Sequence, residues 1–298
     1  MLSQLTREPL IDAITAFLAG RDTETGHAFR GLLEREMDSA GAAAITALGQ
    51  RLATAGADWA YYPGDPLARR LHHALADRIL LADSALHGAE HIETVAGRPV
   101  VIFANHLSYA DANLIEILLC RCGQTTLADR LAVIAGPKVY SSLKRRFSSL
   151  CFGTIKTPQS SGLSTEDAVM NPREVARAAR RSIDIAQERL RLGDALLVFA
   201  EGTRSRSGDM QQMLTAATRY LDVPDVCVLP AAITGTEALF PIGDDTVHPV
   251  TVTVRIGAPL SGAALRQQAR GDRSEMMNIV GRAIAAELPS GYRGVYGN

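Results

Sequence analysis

The chain has 298 residues, 47% apolar and 21% charged, which excludes a disordered chain or a disulfide-stapled miniature and leaves one large domain, alone or with a small companion. A net charge of −1 excludes the long-range positive field with which nucleic-acid binders neutralise phosphates, so no nucleic-acid partner is expected. Cys120, Cys122, Cys151 and Cys227 match no zinc-site spacing; they read as reduced thiols of a cytoplasmic protein, and no metal is expected.

The N-terminus lacks a basic start followed by an unbroken apolar stretch, so it does not read as a secretion signal. Nowhere do apolar residues approach the roughly 18 in a row that span a bilayer. Up to residue 88 the apolar spacing is helical: Leu10, Ile14, Phe17 and Leu18 share a face, and Leu67, Leu71, Leu75, Ile79 and Leu86 follow a similar period. A small helical subdomain over residues 1–88 is predicted. Its last helix starts at Asp65-Pro66, an N-cap followed by proline at the first helical position. Trp59, Tyr61 and Tyr62 form the densest aromatic cluster, either packed within the bundle or seated at a headgroup layer. His72 and His73 are expected on a helix surface.

From Arg98 short apolar runs alternate with helical stretches, and residues 89–298 are predicted to be an α/β domain with a central, mostly parallel sheet flanked by helices. The predicted strands are Val100–Ala104, Leu131–Ala135, Ala195–Ala200, Val226–Ile233 and Val250–Ile256. Asn171-Pro172 with Glu174 has the form of a capping box opening a helix, and Ser274, Met277, Val280, Ile284 and Leu288 mark another. Gln159–Gly162 and their neighbours are small and polar, a loop that connects or gates.

Two blocks carry chemistry. Asn105-His106-Leu107-Ser108-Tyr109-Ala110-Asp111 follows an apolar strand and opens a helix, where α/β sheets place their sites. A neutral imidazole can take a proton from an alcohol, and a carboxylate on its other nitrogen fixes the tautomer, so His106 and Asp111 are candidate base and partner. Glu201-Gly202-Thr203-Arg204-Ser205 follows a second apolar strand; glycine admits backbone N–H groups close to an anion, and arginine offers a planar fork to phosphate. Taken singly, a capping histidine and a solvated surface turn explain the blocks equally well.

Together they resemble a known family. Asn105 to Asp111 is similar to the N-H-x-S-x-x-D block of the glycerolipid (lysophosphatidate/glycerol-3-phosphate) acyltransferase superfamily, Glu201 to Ser205 to its E-G-T-R-S block, and Val228-Leu229-Pro230-Ala231-Ala232-Ile233 to the short strand that follows. The resemblance covers residues 90 to 260. It implies acyl transfer from acyl-CoA or acyl carrier protein to a hydroxyl of a lipid-like acceptor, with no other cofactor. His106 would be the base, Asp111 its orienting partner, and Glu201, Gly202, Thr203 and Arg204 the acceptor pocket, with Arg204 on a phosphate. Asn105 and Ser108 would support the loop. The family's second block usually ends in an arginine, but none lies between Arg146 and Arg173, and Lys156 is the cation available there. A non-phosphorylated acceptor, or a binding protein that has kept the scaffold, are the alternatives.

Lys138, Lys144 and Lys156 are all the lysines in the chain, and no acidic residue occurs from Arg130 to Thr165. Lys138, Lys144, Arg145 and Arg146 thus offer a basic patch for an anionic leaflet, for an acidic carrier or CoA phosphates, or for solvent alone. A cytoplasmic location, at most peripheral to the inner face of the membrane, is expected. His87-Gly88-Ala89-Glu90-His91 has a peptidase-like H-x-x-E-H spacing but carries a glycine at a helix end, and neither a G-x-S-x-G elbow nor a P-loop is present.

Overall fold

The computed structural model describes residues 7–19, 23–158, 170–241 and 247–297, so the polar loop at 159–162 lies outside the described residues. Three helices lead the chain: α1 (Arg7–Ala19), α2 (Thr23–Ala40) and α3 (Ala42–Thr54). The predicted cap of α4 (Pro66–Ile79) is present, the Asp65 carboxylate accepting from the Leu67 and Ala68 N–H groups. These helices bury Leu10, Ile14, Leu33, Leu48 and Leu71 in the core that also holds one face of the sheet.

Among the described residues the sheet has nine strands: β1 (Tyr61–Tyr62), β2 (Ala85–His87), β3 (Val100–Ala104), β4 (Leu131–Ala135), β5 (Gly153–Lys156), β6 (Ala195–Val198), β7 (Cys227–Thr234), β8 (Thr253–Ile256) and β9 (Leu260–Ser261). Its order is β1-β5-β4-β6-β3-β7-β8-β2, with β9 on β7; β5, β4, β6, β3 and β7 are mutually parallel. Residues 1–88, predicted as purely helical, therefore supply two strands. Leu86, read as helical, lies on β2, and Tyr61 and Tyr62 pair with β5 at the sheet edge. Because the leading helices share a core with the sheet, residue 88 marks no break in packing.

β3 is buried on both faces, as a central parallel strand must be: Val100, Ile102 and Ala104 enter one core, Val101 and Phe103 the other. The first core takes α6 (Asp111–Arg121) and α8 (Leu143–Ser149) beside the leading helices. The second takes α9 (Pro172–Arg191), which opens with the predicted capping box, and α11 (Arg273–Ala286). Short helices α5 (Ala89–Glu93), α7 (Thr125–Asp129) and α10 (Gly262–Gln268) complete the connections. His87 and His91 fall on β2 and α5, with a left-handed Gly88 between them, so the H-x-x-E-H string is not on one helix.

Candidate active site

Three adjacent parallel strands, β6, β3 and β7, deliver their outgoing loops to one edge of the sheet. The chain leaves β3 to one side through α6 and leaves β6 to the other, so the crevice between these strands is a topological switch point, where such sheets bind ligands. His106 and Asp111 follow β3, Glu201 to Ser205 follow β6, and Thr236 follows β7.

The Asp111 side chain is fully buried at the start of α6. Its Oδ2 accepts from the His106 ring at Nδ1 (2.8 Å) and from the backbone N–H groups of Leu107 (2.7 Å) and Ser108 (2.9 Å). Its Oδ1 accepts from the Thr236 hydroxyl. An oxygen already taking two N–H bonds has no proton to offer the ring, so Nδ1 donates to it and, in the neutral ring, the lone pair is on Nε2. The His106 ring stacks on Phe199, with centroids 4.3 Å apart, and its side chain is 17% exposed at the cleft. Fixed tautomer, fixed ring plane and an available Nε2 are what a general base requires.

The Asn105 side chain donates to the Ile233 carbonyl (2.9 Å) and accepts from the Ile233 N–H (2.8 Å), mimicking one more rung between β3 and β7. Ser108 is buried, and its hydroxyl accepts from the Ala110 N–H at 3.3 Å. Glu201, predicted to contact the acceptor, does not line the cleft. It is buried, one carboxylate oxygen accepting from the His106 N–H (2.8 Å) and the other from the Gln211 N–H (2.7 Å). The Ser205 N–H closes the join by donating to the His106 carbonyl at 2.8 Å. The two blocks are thus stitched together, and Glu201 holds the backbone of His106. Burial pushes the Glu201 carboxyl up to about 7, against the two N–H bonds that favour its charged form.

Gly202, Thr203 and Arg204 do line the cleft, as does Tyr109. Lys156 does not join them. β5 stands three strands from β3, roughly 14 Å at ordinary strand spacing, and the Lys156 ammonium donates to the Gly56 carbonyl while lying 4.6 Å from the Trp59 ring centre. Of the predicted basic patch, Lys138, Lys144 and Arg145 line the cleft. Arg146 is spent on the carbonyls of Tyr140 and Leu52.

The cleft has a volume of about 1790 Å³, beyond the roughly 300–1,000 Å³ of ordinary small-molecule sites. On one face of the sheet its walls are apolar side chains such as Phe17, Leu75 and Ile117; on the other they include Ile183, Ala217 and Tyr220. His72, expected at the surface, is part of this wall, packed against Phe147 with Nδ1 shut off from solvent, and burial lowers its pKa to about 4.

Phe199 and Thr236 were not singled out by sequence. Phe199 sits in the strand exit immediately before the second block. The signal near Thr236 is Gly235, whose φ of 91° and Cβ position, 2.1 Å from the Thr251 carbonyl oxygen, admit only glycine at the turn that aims the threonine.

The family described as Acyltransferase matches residues 83–234, half of the chain. The chain belongs to the Acyltransferase family. Its matched span contains β3 to β7 and, with them, His106, Asp111 and Glu201, so the stitched corner lies inside the part that defines this acyltransferase. Among solved structures the acyltransferase is similar to the 1-acyl-sn-glycerophosphate (LPA) acyltransferase PlsC from Thermotoga maritima, at a TM-score of 0.50 and 21% sequence identity, over 95% of this chain and 98% of that one. The likeness in fold therefore includes the leading helices, which precede the matched span. No curated protein sequence matches the chain.

Proposed function

We propose that this acyltransferase moves a fatty acyl group from an acyl thioester, acyl-CoA or acyl carrier protein, to a hydroxyl of a glycerolipid precursor such as 1-acyl-glycerol-3-phosphate or glycerol-3-phosphate. The observation that carries the reading is the His106–Asp111 pair, its ring oriented by Phe199, at a large apolar cleft lined with cations. Nε2 removes the acceptor hydroxyl proton as the oxygen attacks the thioester carbonyl, and Asp111 stabilises the imidazolium that forms. Collapse of the tetrahedral adduct breaks the C–S bond, and the imidazolium returns its proton to the departing sulfur. Ester and thiol leave with no net proton change and no acyl-enzyme.

An apolar cleft of this size suits the hydrocarbon of donor and acceptor, and Arg204 offers a fork for a phosphate. Among the described residues no helix is long and apolar enough to cross a membrane. Peripheral contact with an anionic inner leaflet through Lys138, Lys144 and Arg145 fits a lipid acceptor, and we place the enzyme in the cytoplasm on that ground.

The test is thiol release from acyl-CoA and acyl carrier protein with glycerol-3-phosphate, lysophosphatidate and neutral lysolipids, comparing wild type with His106→Ala. Acceptor-dependent release abolished in the variant is expected and names donor and acceptor. Ligand binding without release from any pair would leave a binding protein on an enzyme scaffold.

A further inference from the structure

Tyr109, in the His106 loop, is 39% exposed and carries two guanidinium groups on its ring: the Arg204 carbon is 3.8 Å from the ring centre and the Arg145 carbon 4.7 Å. These arginines come from distant parts of the chain, the loop after β6 and helix α8. All three residues line the cleft with His106. Among the described residues neither arginine pairs with a carboxylate. Among the described residues the Arg204 side chain makes no hydrogen bond, and that of Arg145 uses only Nη1, on the Lys138 carbonyl and the Ser141 hydroxyl.

Two like charges held to one ring repel each other unless an anion lies between or beside them. Stacking engages the face of a guanidinium and leaves its in-plane N–H donors for a ligand. We propose that Tyr109 gathers Arg145 and Arg204 into a two-guanidinium site for a phosphate monoester. Arg145, not Lys156, then supplies the second cation on the Tyr109 ring beside Arg204, replacing in space the arginine missing in sequence. The inference rests on the acyl-transfer reading for the owner of that phosphate, either the acceptor headgroup or the ribose of a CoA donor. Tyr109 is a positioning residue; Arg145 touches the ligand.

The test uses the full chain with lysophosphatidate or a monoacylglycerol as acceptor, and acyl-CoA or the phosphate-free acyl-pantetheine as donor. Arg145→Ala is expected to raise KM about 10- to 100-fold for the phosphate-bearing substrate, the range of a lost charge-assisted hydrogen bond, with kcat changed less than about threefold. Arg145→Lys should recover part of the loss, and Tyr109→Leu should raise the same KM by a smaller factor. A shift confined to lysophosphatidate assigns the site to the acceptor, and one confined to acyl-CoA assigns it to the donor. Equal shifts for phosphate-bearing and phosphate-free substrates, or none, overturn the proposal. Should wild type turn over no pair, the acyl-transfer reading fails by itself. Equilibrium binding of glycerol-3-phosphate and of CoA then decides the site: weakened at least about 10-fold in Arg145→Ala and partly restored in Arg145→Lys for one of them, it stands; unchanged for both, it falls.

Discussion

Helix α6 carries two buried carboxylates, each 2.8 Å from a histidine ring, and the two pairs do different things. Asp111 at its start holds His106; Glu116, in the next turn, holds His73 at Nε2. Around Asp111 the other donors are neutral: two backbone N–H groups and the Thr236 hydroxyl. Around Glu116 stands Arg69, donating from Nε at 2.7 Å and reaching Cys120 with Nη2 at 3.2 Å. His73, bonded to Cys120 and to Glu116, has its pKa raised to about 9 and stays charged at neutral pH. His73, Glu116 and Cys120 place their donor atoms within 4.8 Å of one another, a metal-like spacing, but the arginine already supplies the cation there. A histidine beside a carboxylate is therefore no signature of catalysis. What separates the pairs is the company of the carboxylate, neutral donors at Asp111 and an arginine at Glu116, and a His106 ring that lines the cleft.

The sharpest way to break the comparison is to make the same change in both pairs. Asp111→Asn can keep a carbonyl oxygen on the three N–H donors but removes the charge that stabilises an imidazolium at His106, so kcat should fall about 10²- to 10⁴-fold, close to the loss in His106→Ala. Glu116→Gln should leave kcat within about threefold but destabilise the fold by roughly 3 kcal/mol, since Arg69 and His73 lose their buried counter-charge. Steady-state kinetics and urea denaturation read the two effects. Equal kcat losses in both variants would show that the pairs are not functionally distinct.

Glu201→Gln comes next. Each carboxylate oxygen takes one backbone N–H, and an amide can satisfy only one of them, leaving a buried donor unpaired at a cost of about 1–3 kcal/mol. Since one of those donors is the His106 N–H, kcat should drop about 10- to 100-fold with acceptor KM little changed. A KM effect alone would return Glu201 to the acceptor pocket. Thr236→Val removes a single hydrogen bond from Asp111, and a fall in kcat of about 10-fold is expected, smaller because the three donors on Oδ2 remain.

How far the sequence spoke differs between these regions. The capping residues Asp65 and Asn171 and the apolar runs of β3, β4, β6 and β7 act through neighbours in the chain, and all were legible, β3 and β4 to the residue and β6 and β7 with ends off by one or two. β1, β2, β5 and β9 were not: the first two and the last have two or three residues, and β5 is Gly-Thr-Ile-Lys, with one apolar side chain. They exist because a neighbouring strand offers hydrogen bonds. The first block gave both members of the His106–Asp111 pair because that contact spans five positions. A block names residues, not where their atoms turn, so Glu201 read as a substrate contact. Lys156 was read as a neighbour because charge was counted along the chain. Thr236 reaches the site only through space, and the contact of Arg145 with Tyr109 likewise spans distant parts of the chain.

The smallest effect separates the histidines by pH, and two adjacent residues of α4 make it possible. Burial lowers the pKa of His72 to about 4, while bonds to Cys120 and Glu116 raise that of His73 to about 9. Between about 4 and 6.5 the unfolded chain binds more protons at His72 than the folded one, so stability from this residue falls as pH falls through that window. At His73 the folded state binds more, so its contribution is complete below 6.5 and is lost as pH rises towards 9. The His73 side chain is 34% exposed, and solvent screening reduces its contribution to the order of 1 kcal/mol. In His73→Asn the decline in stability between pH 6.5 and 9 should therefore flatten, while the decline below 6.5 remains, as read from denaturation midpoints across pH. Activity at saturating substrate should keep its wild-type pH profile if, as proposed, His106 and Asp111 are the catalytic pair and the pair at Glu116 is not. A profile displaced by His73→Asn would mean that the two ends of α6 are coupled through the helix they share.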